Sequence, residues 1–282
     1  RKTRGFLELE LVPNARIEFH GAPLQINRWA MRDRDYEKSK PDSVFRIACL
    51  GASHLMGGGV PDEKTFENLV EDRLNREGGI GGRRVEILNF GVDGYSAIER
   101  TACFDDKVAE FEPDVVMSFA HVVDTDVTVG RMFELIRGEI DLKYAPLREI
   151  AKRAGVDART GEKLARKRLA EHGDEIITWA YGHLAAACRK RGALPVWVFL
   201  PRVVHEEPAA ERAPLETISA DAGLALLDLG TAYAGQNVKA LYLADWDQHP
   251  NARGHEILAE RFYRAIRESN FITPAAVEAA AR

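Results

Sequence analysis

Val44-Phe45-Arg46-Ile47-Ala48-Cys49-Leu50-Gly51-Ala52-Ser53-His54-Leu55-Met56-Gly57-Gly58-Gly59-Val60 is an apolar run that ends at a glycine-flanked serine. A second glycine cluster closes it, and Phe66, Leu69, Val70 and Leu74 then recur at helical spacing. Strand, small-residue turn and helix in that order is how an α/β protein presents a nucleophile at the carboxyl end of a strand. Gly51 lets the backbone turn sharply, Ala52 leaves the approach open, and Ser53 stands at the mouth of the sheet. A serine that only caps the helix is the competing reading of this segment taken alone.

The far end of the chain bears on that choice. Asp245-Trp246-Asp247-Gln248-His249-Pro250-Asn251-Ala252-Arg253-Gly254-His255 precedes the apolar positions Ile257, Leu258, Phe262 and Ile266 of a last helix. A histidine there can return to the sheet edge that carries Ser53, with acidic neighbours to orient it. A serine nucleophile needs a base within hydrogen-bond reach, and the base needs a third group to hold its tautomer.

Three blocks resemble the SGNH, or GDSL-type, hydrolase superfamily: Leu50-Gly51-Ala52-Ser53, Asn89-Phe90-Gly91-Val92-Asp93-Gly94-Tyr95-Ser96, and Asp247-x-His249-Pro250-Asn251-x-x-Gly254-His255. The resemblance spans roughly residues 44 to 268 and keeps the superfamily's block order. It implies a three-layer, flavodoxin-like α/β fold around a central parallel sheet of about five strands. It also implies a serine esterase that needs neither metal nor cofactor, with Ser53 as nucleophile and His249 as base. Asp247 would be the orienting acid, with Asp245 as its rival, and His255 would be structural. The oxyanion would be held by the backbone N–H groups of Ser53 and Gly91.

Two positions depart from the family pattern. An asparagine normally follows the strand read at 114–120, and here His121-Val122-Val123-Asp124 stands in its place. His121 is the candidate replacement donor. Ala52 occupies the position where the GDSL signature carries Asp. Asp93 and Asp124 read as solvated or capping residues.

Composition bounds the alternatives. The 282 residues are 45% hydrophobic and 29% charged, values of an ordinary globular protein. A formal charge of -5 leaves no electrostatic footprint for nucleic acid or an anionic membrane. The basic residues Lys152, Arg153, Arg159, Lys163, Arg166, Lys167 and Arg168 interleave with Glu149, Glu162 and Glu171, which reads as a solvated helix face. Cys49, Cys103 and Cys188 are far apart in apolar surroundings, so buried thiols are expected rather than a disulfide framework or zinc site. No apolar run reaches membrane-spanning length. The chain opens on Arg1, which suggests an excised or processed piece and leaves the compartment open between the cytoplasm and the exported part of an anchored protein.

Along the chain, residues 1 to 43 form an extended or β lead-in, with strands expected at Leu7–Val12 and Ala15–Phe19 from their alternation. The stretch Gln25–Asp33 resembles an arm that packs beside the active-site face in some superfamily members, and a chemically idle hairpin is the other reading. Residues 44 to 282 form the hydrolase domain, with strands near 85–90, 114–120, 194–200 and 225–229. A helical insertion at about 130–172 is expected to form a lid. A mobile-looking loop is expected from Pro201 through Pro214, and a loosely held tail after Pro274.

The leading function is hydrolysis of a carboxylic ester through an acyl-enzyme on Ser53. The expected substrate is a short acyl group on a carbohydrate or other small polar molecule. The rivals are an acyltransferase using the same triad and a non-catalytic module that keeps the fold. A nucleotide binder built on Gly57-Gly58-Gly59 ranks last.

Overall fold

The structure, a computed structural model, describes residues 1–204 and 206–280. Strands β1 (Arg16–Phe19) and β2 (Ala22–Gln25) pair antiparallel around His20-Gly21. Both turn residues have positive φ, 51° and 79°, the two-residue turn whose twist matches the flanking strands. The expected strand at Leu7–Val12 does not form, beyond one isolated bridge between Lys2 and Leu9. Side chains take its backbone instead: Glu8 N–H donates to Glu99 at 2.9 Å, and the Tyr95 hydroxyl donates to Leu9 at 2.9 Å. Nor is the second expected strand half-buried. β1 is largely exposed, and β2 carries the alternation through buried Ala22 and Leu24.

The main body follows as β3 (Val44–Gly51), α1 (Ser53–Met56), α2 (Phe66–Arg76), β4 (Arg84–Gly91), α3 (Ala97–Asp106) and β5 (Val115–Ala120). Next come α4 (Asp124–Arg137), α5 (Ala145–Ala154), α6 (Glu162–Ala170), α7 (Gly173–Lys190) and β6 (Leu194–Phe199). The chain finishes with α8 (Ala209–Asp221), β7 (Ala225–Asp228), β8 (Tyr242–Ala244), β9 (Asp247–Pro250), α9 (Ala252–Glu268) and α10 (Pro274–Ala280).

Five strands form one parallel sheet in the order β4-β3-β5-β6-β7. β3 and β5 are buried at every position, as strands covered on both faces must be. On one face Phe66, Val70 and Leu74 of α2 and Leu258, Phe262 and Ile266 of α9 pack on β3 and β5. Helices α3 and α7 cover the other. The strand order reverses between β3 and β5, and ligands of such sheets bind in the crevice at that reversal. The chain leaving β3 there is Gly51-Ala52-Ser53.

The helical insertion is present but is not a lid. Leu147 and Ile150 of α5 and Ala165 and Leu169 of α6 pack with Met132 and Phe133 of α4 and Ile176 and Ile177 of α7. These apolar contacts hold the insertion against the flank of the domain, and the two cavities at Ser53 are lined by other segments. Its basic face is exposed, and Arg166 pairs with Glu162. The stretch expected to be a loop through Pro214 is helical from Ala209, with Pro214 inside α8. The described part of the tail after Pro274 is also held, because Ile272 and Val277 are buried in the main core; residues 281 and 282 lie outside the described residues. All three cysteines are buried and free. Among the described residues, no helix is long and apolar enough to cross a membrane.

Candidate active site

Ser53 is the first residue of α1, directly after the buried end of β3. Three contacts fix that turn. The Cβ that any other residue would carry at Gly51 would lie 2.8 Å from Leu55, so only glycine permits the close return. The Asn89 amide of β4 donates to Leu55 O at 2.9 Å and to Glu67 at 2.6 Å. The buried Arg32 guanidinium, from the lead-in, donates to the carbonyls of Met56, Gly57 and Val60 and to the Asp62 carboxylate. The stretch Gln25–Asp33 is therefore not an idle hairpin: it packs beside Ser53, where its Arg32 grips the loop that follows α1.

The distal block closes on Ser53. His249 Nε2 lies 2.8 Å from Ser53 Oγ, and His249 Nδ1 lies 2.6 Å from Asp247 Oδ1. The Asp247 carboxylate can only accept, so His249 carries its proton on Nδ1 and turns a lone pair toward the serine hydroxyl. Asp247 Oδ1 also accepts from the His249 backbone N–H at 3.1 Å. Its side chain is 7% exposed. Burial pushes this carboxyl up, but its bonds from His249 and His20 outweigh that and hold it below the usual range. The rival Asp245 is exposed in the turn between β8 and β9.

His255 is a buried structural residue of α9. Its Nδ1 accepts from Phe66 N–H at 3.1 Å, and burial pushes its ring down to about 3. Asn251 caps α9 by accepting from Gly254 N–H at 3.0 Å.

The oxyanion side differs from expectation. Gly91 ends β4, and its N–H donates to Asn89 Oδ1 at 2.8 Å, two residues back on the same face. It is engaged inside the sheet. Gly94 lies in the loop beyond it, with φ of 75°, and lines a cavity of about 210 Å³ together with Ser53 and His121. Ser53 N–H lies at the first position of α1, where no helical acceptor exists for it. His121 follows β5, and burial pushes its ring down to about 4, so it is neutral at pH 7 with a single N–H. Among the described residues its Nδ1 is buried without a hydrogen-bond partner.

His54, which the sequence did not mark as functional, stands between the other two imidazoles. Its ring centroid is 4.6 Å from His121 and 4.7 Å from His249. Burial, reinforced by these neighbours, holds it well below the usual histidine range, so it adds no charge beside His249.

Asp124 is not solvated. It accepts from Arg100 through both oxygens, at 2.9 and 2.5 Å, and from Tyr181 at 2.5 Å. This buried network backs the wall of the 210 Å³ cavity. Asp93 is exposed and edges both cavities at Ser53. The second cavity, about 60 Å³, is lined by Phe19, His20, Met56, Leu243, Asp247 and His249 among others. Its Phe19 and His20 wall comes from the lead-in hairpin.

No family model matches the chain, and no curated protein matches it. Solved structures do. A two-domain esterase active on acetylated mannans, co-crystallised with mannopentaose, aligns with 85% of this chain at 14% identity and a TM-score of 0.50, and this chain spans 51% of it. An α/β hydrolase from the metagenome of Lake Arreo aligns with 78% of this chain and 94% of its own, at 18% identity and a TM-score of 0.49. Axe2, an acetylxylan esterase from Geobacillus stearothermophilus, aligns with 80% and 95% at 15% identity and a TM-score of 0.47. The chain has the fold of SGNH-type hydrolases.

Proposed function

We propose that the protein is a serine esterase in which Ser53 is the nucleophile, His249 the general base and Asp247 the acid that orients it. The observation that carries this reading is the unbroken relay of 2.8 Å from Ser53 to His249 and 2.6 Å from His249 to Asp247. His249 Nε2 takes the Ser53 proton as Oγ attacks the ester carbonyl carbon. The same proton is returned to the departing alkoxide, which leaves as the alcohol. Water then attacks the acyl-serine with His249 again as base, and the carboxylic acid is released.

The oxyanion of each tetrahedral intermediate lies toward the N–H groups of Ser53 and Gly94. His121 supplies the third donor as a neutral imidazole. Gly94 takes the role first expected of Gly91, whose N–H is engaged by Asn89.

The substrate is a short acyl ester of a carbohydrate or other small polar molecule. Two small cavities meeting at Ser53 support this, because neither has room for a long acyl chain. The fold shared with an esterase active on acetylated mannans points the same way. Water is the acceptor in this reading: among the described residues the 130–172 insertion lines neither cavity at Ser53, whereas a transferase must keep water from the acyl-enzyme.

The test is covalent labelling with a fluorophosphonate, read by intact mass, on the wild type and on Ser53→Ala and His249→Ala. One adduct, absent from both variants, is the expected result. A folded wild type that forms no adduct removes the esterase reading and leaves a binding module.

A further inference from the structure

We infer that His20 is a positioning residue for the catalytic acid: its imidazole, at the tip of the lead-in hairpin, fixes the free oxygen of Asp247. The inference rests on the esterase reading and extends it to a segment outside the three sequence blocks.

The geometry assigns one side of the carboxylate to each histidine. Oδ1 accepts from the Nδ1–H and the backbone N–H of His249, and Oδ2 lies 3.0 Å from His20 Nδ1. Because a carboxylate only accepts, His20 carries a proton on Nδ1 and donates it. A carboxylate bonded through one oxygen swings about its last torsion, whereas donors on both oxygens fix its plane. The backbone gives Asp247 little help. β8 and β9 pair at only Tyr242–Pro250 and Ala244–Asp247, with an irregularity between them. The contact from His20 spans 227 residues of sequence and supplies the missing constraint.

The hairpin is built for that contact at a local disadvantage. His20 has φ of 51°, a conformation that glycine and asparagine adopt more readily, and Gly21 beside it has the same sign. The left-handed turn carries the His20 side chain to Asp247. Its surroundings hold the ring in place: Phe19 lies 4.3 Å and Trp246 5.9 Å away between ring centroids. The ionisable groups around it are Asp247, bonded to it, and Asp93 and His249, which line the same cavity.

Two substitutions separate positioning from turn-building. His20→Gly suits the turn better but removes the donor. His20→Asn also suits it, and places an amide nitrogen where Nδ1 was. Positioning predicts that kcat for 4-nitrophenyl acetate falls about tenfold in H20G with KM within twofold of wild type, and that H20N recovers most of the loss. A turn-building role predicts full kcat in H20G, and that result overturns the inference. A second readout is independent of turnover. The downfield proton resonance of His249 Nδ1–H, followed with 15N-labelled histidine, should broaden or shift in H20G and return in H20N. An unchanged resonance in all three proteins overturns the inference even if the ester proves the wrong substrate. A wild type inert to both ester and fluorophosphonate removes the esterase reading, and the resonance then decides for His20 alone.

Discussion

His249 Nε2 and Ser53 Oγ, 196 positions apart in the chain, lie 2.8 Å from one another at the reversal of strand order in the central sheet. Ser53 arrives directly from β3. His249 arrives from the short β8–β9 hairpin, and the cap of α9 by Asn251 fixes the backbone two residues further on. The two arms differ in rigidity, and the distal arm is the one that needs side-chain support.

The choice between the two acids has a direct test. Asp247→Asn keeps the shape but leaves His249 free to adopt the wrong tautomer, and kcat is expected to fall by about 10³–10⁴. Asp245→Asn, in the exposed turn, should leave kcat within about twofold, as surface changes away from the chemistry do. Steady-state hydrolysis of 4-nitrophenyl acetate reads both. Equal losses in the two variants would reject the assignment of Asp247.

His121 is expected to behave as the third oxyanion donor. Removing one such donor costs on the order of 10²–10³ in kcat, so His121→Ala should fall in that range with little change in KM. His121→Asn presents an amide N–H whatever the tautomer, and should retain activity within about tenfold of wild type. If His121→Ala keeps full kcat, the two backbone donors suffice.

Trp246 is 79% exposed beside the triad, far more than any other large apolar residue among those described. Its flat face suits stacking against a sugar ring at the mouth of the site. Trp246→Ala is therefore expected to raise KM about tenfold for an acetylated oligosaccharide, the equivalent of about 1.4 kcal/mol of binding. The KM for 4-nitrophenyl acetate should hardly change. A KM that rises equally for both substrates would count against stacking.

Glu67 makes stability depend on pH. Burial pushes its carboxyl up to about 7 from an unfolded value near 4.5. Between those values the native state holds a proton that the unfolded chain has released, so this group's contribution to stability falls as pH rises and levels off above about 7. Glu67→Gln removes the titration. Its Tm should exceed that of wild type by about 3–6 °C at pH 8 and converge on it at pH 5. Differential scanning calorimetry at several pH values decides, and a constant difference across pH would assign the raised carboxyl elsewhere.

The sheet was legible because β3 and β5 are covered on both faces and so read as almost continuous apolar runs, interrupted only by Arg46 and Ser118. The convergence of Ser53, His249 and Asp247 was legible because each sits in a short motif at an end of a strand or hairpin that meets the others at the sheet's edge. Gly91 and Gly94 stand three residues apart, and only the folded chain shows that the Gly91 N–H is taken by the Asn89 side chain while Gly94 lines the cavity at Ser53. Arg32 and His20 carried no local signal, since each acts through a contact formed only in the folded chain. The helices of the insertion were legible from their period, but which surface they cover depends on apolar stripes, such as Leu147 and Ile150, finding partners on α4 and α7. Asp124 read as polar surface because nothing nearby in sequence announces Arg100 as its partner.

Arg32 has a consequence for the order in which the protein assembles. The turn that displays Ser53 is held by a guanidinium from the first tenth or so of the chain, and Asp247 is held between the hairpin tip and His249. The central strands need only neighbouring βα units to pair. The Arg32 contacts with that turn span only 24 to 28 residues. The site also needs His20 on Asp247 and His249 on Ser53, 227 and 196 residues apart, and contacts of such long range form late in folding. The same ordering runs in reverse under stress. Lifting the lead-in off the surface would silence the serine while nearly all helix and strand remained, so loss of activity should precede loss of circular dichroism as denaturant is raised.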